Sequence, residues 1–143
     1  MSELSQRLAI REKMLHEENV RLNRDHALLI ERAPAAWEEF KAAFRAECHE
    51  ITRESTLTEM RVEDRDSQSF DVLRKRAYSQ FIAVQSFTFK PSLPGISWMD
   101  GHNKKPAKLI EMTMDVSGVS FVLDGKALIL VRFVTDRLEG VCL

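Results

Sequence analysis

Glycine is absent before Gly95, and the chain's five glycines, Gly95, Gly101, Gly118, Gly125 and Gly140, crowd into the last third. Glycine is costly inside a helix and marks places where the backbone turns sharply. Its absence in front and its return behind divide the sequence into a helical first part and a turn-punctuated second part. Cysteine is scarce as well. Cys48 and Cys142 are far apart in sequence and in different settings, which excludes a disulfide framework and makes a reducing cytoplasm the expected location. No apolar run approaches the ~20 residues of a membrane-spanning helix, and residues 1–15 lack the apolar core of a signal peptide. Neither charge sign dominates. A net charge of −1 gives no overall attraction to nucleic acid or to an anionic membrane. Also missing are a nucleophile elbow, a phosphate-cradling glycine loop and a dinucleotide fingerprint, so nothing points to an enzyme or a cofactor.

What is present is ordinary globular composition, 44% apolar and 30% charged, over 143 residues. That length suits one domain and can bury a core without staples. Residues 3–32 read as a long helix capped by Ser2, with Glu3 in the first turn and Arg32 in the last. Pro34 is expected to end it and to start a second helix over 34–52. In that second helix Trp37, Phe40, Phe44, Cys48 and Ile51 share one face. From residue 53 the pattern turns to alternation. Thr56, Thr58, Met60 and Val62 mark a strand, and residues 67–77 fit strand or helix equally. Phe81, Ala83, Gln85, Phe87 and Phe89 mark another strand within 78–90. Residues 91–106, with three prolines and two glycines, read as irregular. A strand over 107–116 aligns Ile110, Met112, Met114 and Val116. Turns at Ser117-Gly118 and Asp124-Gly125 frame Val119, Phe121 and Leu123. The apolar run Leu128–Val134 reads as a buried final strand.

The expected fold is therefore α+β: two N-terminal helices packed with a curved antiparallel sheet of five or six strands that ends in a β-meander. In domain terms, 1–143 is one unit with a long overhanging helix (1–33), a core-packing helix (34–52) and a sheet (53–143).

Two groups of residues are functional candidates. Leu4, Leu8, Leu15, Leu22 and Leu29 form one line on the first helix, the last four spaced by seven. A coiled coil needs a second apolar seam position in each heptad. The residues four places ahead of the leucines are Leu4, Arg11, Glu18 and Asp25, three of them charged, which argues against a parallel zipper. A narrow stripe on a helix longer than a small domain still implies self-association, as a dimer. The second group lies in the 91–106 stretch, where Trp98, Asp100, His102, Lys104 and Lys105 gather an aromatic ring, an acid, an imidazole and two cations. Loops on rigid scaffolds often carry function, so the alternative to self-association is a small-ligand binding domain, or an enzyme, with its site near this loop and Met112 and Met114 as an adaptable apolar wall.

Other motifs reduce to structure. Cys48 beside His49 resembles a nucleophile and base, but neighbours on a helix project about 100° apart, and Cys48 continues an apolar face as an inert thiol. His16, His26, His49 and His102 lack metal-site spacing, so no metal is expected. The basic run Arg74, Lys75, Arg76, Lys90, Lys104, Lys105 and Lys108, interleaved with aromatics, resembles a single-strand nucleic-acid surface. The same pattern arises on a solubilised sheet edge, and that reading takes precedence over nucleic acid.

Overall fold

The computed structural model describes residues 2–101 and 107–142. It begins with one continuous helix, α1 (Glu3–Glu54). The Ser2 hydroxyl caps it by accepting from the Ser5 N–H at 3.2 Å. At the other end the Ser55 N–H donates to Ile51 O, and the Ser55 hydroxyl accepts from the Thr58 N–H at 3.0 Å, turning the chain into the sheet. The expected division into two helices is corrected: the helix runs through Pro34. Proline removes one intrahelical bond and crowds the preceding turn, at a cost of about 3 kcal/mol. Here the flanking Ala33, Ala35 and Ala36 are the best of helix formers, and buried Ala33, Ala36 and Trp37 anchor the backbone just where the bond is missing.

Seven antiparallel strands follow in sequential order: β1 (Thr58–Asp66), β2 (Ser69–Arg76), β3 (Ile82–Lys90), β4 (Gly95–Asp100), β5 (Lys108–Asp115), β6 (Gly118–Leu123) and β7 (Lys126–Ala127). A terminal helix, α2 (Leu130–Cys142), closes the described chain. The architecture is α+β with an antiparallel sheet, as expected, but with seven strands. One open choice is resolved and two local expectations change. Residues 69–76 are strand. The stretch 91–106 is not wholly irregular, because β4 lies within it. The run Leu128–Val134 is not a final strand: from Leu130 it is helix, and Phe133, Val134 and Leu138 at helical spacing form its buried face. The Asp124-Gly125 turn is as read, with φ of 53° and 78° at the two residues, the left-handed pair that a tight hairpin requires.

Strand register explains which side chains meet. Val62 pairs with Val72, Phe70 with Phe87, Phe87 with Trp98, Ile96 with Ile110 and Met112 with Phe121. These residues project to one face, where the rear half of α1 and α2 cover them. Phe40 is central. Its ring lies 5.2 Å from those of Phe44 and Phe87, 5.6 Å from Phe121 and 6.0 Å from Phe133 of α2. Trp37 stacks on Phe89 at 5.7 Å, and its indole N–H donates to Ser67 O. The face that carries Met112 is thus filled by Phe40 and its neighbours.

Polar groups at the margins are matched. Asp64, on the covered face of β1, accepts from Lys41 at 3.1 Å and Arg45 at 2.7 Å. Lys41 is 5% exposed, so this contact supplies the counter-charge a buried ammonium requires. Partial desolvation pushes the Asp64 carboxyl up, but the hydrogen bonds and charges of Lys41 and Arg45 outweigh it and hold the group below its ordinary value. The Thr52 hydroxyl accepts from the Met60 N–H at 2.8 Å and donates to Met60 O at 3.0 Å, stitching the end of α1 to the outer strand. Arg74 and Arg76 of β2 donate to Val141 O and Cys142 O, satisfying carbonyls at the end of α2 that have no intrahelical partner.

Candidate functional site

The front of α1 is a free-standing arm. Every residue from Ser2 to Ala27 is exposed, and burial begins with half-buried Leu28 and Leu29. Residues 3–32 extend about 45 Å at 1.5 Å per residue. The leucine line stands open along it: Leu4, Leu8, Leu15 and Leu22 are 76%, 54%, 52% and 53% exposed. Leu29 lies at the base of the arm and packs against the core. Met14, also exposed, lies at the flank of the stripe, whereas exposed Ile10 is on the opposite side of the helix. Among the described residues the arm's own ion pair is Arg7 with Glu3 at 2.8 Å. In the alternative heptad register the seam residues between the leucines are Ser5, Glu12, Asn19 and His26, again polar. The line of five leucines is therefore one-sided, whichever register is chosen.

The loop candidates separate. Trp98 and Asp100 belong to β4, while His102, Lys104 and Lys105 lie outside the described residues. Trp98 is buried, 3% exposed, and not an open wall. Its ring stacks parallel to Phe87 at 6.3 Å and meets Phe133 edge-on at 5.5 Å. Arg137 of α2 lies over it at 4.9 Å and Lys108 of β5 at 5.5 Å. Asp100 is half-buried and pairs across the strands with Gln85. Gln85, 2% exposed, reads in the sequence only as one of the residues marking a strand. It occupied a core position in an alternating strand, and its polarity there was the available signal.

Around these residues, three buried polar atoms have no hydrogen-bond partner among the described residues: Gln85 Oε1, Trp98 Nε1 and Arg137 Nε. Beside them a cleft of about 220 Å³ opens between α2 and β3–β4, lined by Val84, Gln85, Asp100, Asp136, Arg137 and the last turn of α2.

The basic middle segment is spread over β2, β3 and β5, and its Lys104 and Lys105 lie outside the described residues. Arg74 and Arg76 serve the end of α2, Lys75 lies 5.7 Å from the Phe81 ring, and Lys108 covers Trp98. Cys48 is buried. Its thiol is pushed up to about 12, chiefly by burial and then by the charges of Cys142 and Glu47, so the thiolate a nucleophile needs does not form at neutral pH. His49 is exposed beside it, and His16 and His26 lie on the open arm. Among the described residues no group of three or more His, Cys, Asp or Glu side chains could hold a metal ion. Among the described residues no helix is long and apolar enough to cross a membrane.

A scan against protein-family models, a search of curated proteins and a search of solved structures each found no match to this chain. The functional argument rests on the arm and the cleft alone.

Proposed function

We propose that this protein is a non-enzymatic, self-associating interaction module whose arm, residues 3–32, pairs with the arm of a second copy. The observation that carries this reading is a 45 Å-scale helix whose leucine stripe is uncovered from Leu4 to Leu22 and which packs on the body only at its base, through Leu29. A helix in water draws most of its stability from packing an apolar face, and an identical arm is the simplest surface to supply it.

Charge selects the direction of pairing. At the seam positions between the leucines, Arg11 lies nearer the free end and Glu18 and Asp25 toward the base. With the leucines as one seam position, a parallel pair stacks Arg11, Glu18 and Asp25 each on its own copy. An antiparallel pair sets Arg11 of one arm beside Asp25 of the other, twice by symmetry. It leaves one like-charge meeting, Glu18 with Glu18, near the axis. The dimer is accordingly antiparallel.

Light scattering on the full chain tests this. The double replacement Leu15→Ala, Leu22→Ala should reduce a two-chain mass to one chain, with helix and sheet signals retained. Replacing Asp25→Arg should weaken association several-fold, since each exposed pair contributes about 0.2–1 kcal/mol. Adding Arg11→Asp should restore it. A one-chain mass for the natural protein at micromolar concentration refutes self-association. A dimer indifferent to the charge exchange refutes the antiparallel arrangement alone.

A further inference from the structure

We propose that the cleft between α2 and strands β3–β4 binds a small zwitterion of the amino-acid class, one ammonium and one carboxylate on a compact frame. The inference is independent of the arm. It starts from an imbalance: buried polar atoms are almost always hydrogen-bonded, yet Gln85 Oε1, Trp98 Nε1 and Arg137 Nε are three exceptions gathered in one place. Arg137 connects them. Its guanidinium lies over the Trp98 ring at 4.9 Å and near Phe133 at 5.8 Å, and its backbone oxygen accepts from Gln85 Nε2 at 3.5 Å. Gln85 is thereby oriented with its amide nitrogen toward α2 and its oxygen left over.

The lining carries both signs. Gln85 Oε1, Asp100 and Asp136 are acceptors, suited to an ammonium with three N–H donors. Among the described residues neither Asp100 nor Asp136 forms an ion pair with Arg137, although all three line the same cleft. Arg137 Nε and Trp98 Nε1 are donors without acceptors. A carboxylate is the group that takes a guanidinium edge, which Arg137 supplies from the cleft wall, while Trp98 packs against Arg137 outside the lining. The guanidinium itself is held between two rings, so its orientation is set before the ligand arrives. A volume of about 220 Å³ holds about seven water-sized groups at 30 Å³ each, the scale of a free amino acid and far below that of a nucleotide. Val84 and Val141 supply the apolar part of the wall.

The indole N–H signals of Trp37 and Trp98 in a ¹⁵N-labelled full chain give the test. Trp98 reports through Arg137, the lining residue packed on its ring, whereas Trp37 donates to Ser67 O, which is outside the lining, so it serves as the internal control. The titrants are the free amino acids, together with matched amines that lack the carboxylate and matched acids that lack the amine. At least one amino acid should move the Trp98 signal saturably, leave Trp37 in place, and outcompete both of its half-molecules. Asp136 is exposed on α2, so Asp136→Asn should keep the unfolding transition and weaken binding about tenfold, the effect of losing one charge-assisted hydrogen bond. Three results overturn the proposal: no amino acid moves Trp98 at millimolar concentration, an amine alone binds as well, or Asp136→Asn binds unchanged. The first leaves the cleft as a hydration site, and the second makes it a simple cation site.

Discussion

The two stretches of α1 on either side of Pro34 run on one helical backbone, with similar charge density and no glycine, yet they inhabit different worlds. From Ser2 to Ala27 every side chain is exposed. Beyond Pro34, Ala36, Trp37, Phe40, Phe44 and Cys48 are buried against the sheet. What separates them is the width of the apolar face. The rear stripe carries three aromatic rings, Trp37, Phe40 and Phe44, within about two turns and reaches across the sheet, whereas the arm has single leucines flanked by Arg11, Glu18 and Asp25. A narrow stripe cannot exclude water from a broad sheet, but it suits another narrow stripe. Secondary structure thus continues through a boundary at which tertiary structure stops.

The comparison breaks most easily at Phe40. Phe40→Ala should cost about 3–5 kcal/mol, the range for a fully buried aromatic, read from the urea midpoint. Leu15→Ala on the same helix should cost less than about 0.5 kcal/mol in a dilute monomer, as for an exposed surface position. Equal costs would mean that the arm packs on its own sheet.

Pro34→Ala comes next. Pro34 is exposed and no side-chain contact is lost, so restoring the missing N–H should stabilise the helix by about 1–3 kcal/mol. Native-state hydrogen exchange should then show slower exchange just ahead of residue 34. Unchanged protection there would place the weak point of α1 elsewhere.

A smaller effect sharpens the anchoring of the rear half. Asp64→Asn removes the counter-charge of buried Lys41 and should cost about 1–2 kcal/mol, moderated because Asp64 is half-exposed and Glu38 remains 3.5 Å away. The same contact sets a pH dependence. A carboxyl held below its ordinary value contributes its full stability above that value, near 4, and loses it as pH falls through the lowered one. Asp115, held down first by the Ser117 hydroxyl and then by that of Ser120, adds in the same direction. Asp64→Asn should therefore flatten the acid limb of the stability profile and leave its alkaline limb unchanged. An unchanged acid limb would remove Asp64 from the account.

Much of this was legible in the amino-acid order. The spacing of Trp37, Phe40, Phe44 and Cys48 gave the packing face, and Asp124-Gly125 gave its hairpin. Alternation located β1, β3, β5 and β6. Pro34 misled because one missing bond is outweighed by three alanines and a buried anchor, a balance that depends on tertiary contact. The run Leu128–Val134 misled because a short continuous apolar stretch has no period of its own. Its helical character emerges only on extending the spacing to Leu138. Strand β4 was hidden between prolines. Of the cleft, Trp98 and Asp100 were visible as chemistry-bearing residues. Gln85 and Arg137 were not, since only the placement of α2 over β3 and β4 brings them together.

Pro34 also has a mechanical consequence. It lies where α1 leaves the sheet, and a proline is the commonest place for a helix to bend sharply. A bend of about 20° there carries the far end of a 45 Å rod through about 15 Å. Two bodies tethered by such rods can turn toward or away from each other while the seam between the rods stays intact. In the proposed dimer the distance between the bodies would be governed by one imino acid, and not by the leucine seam.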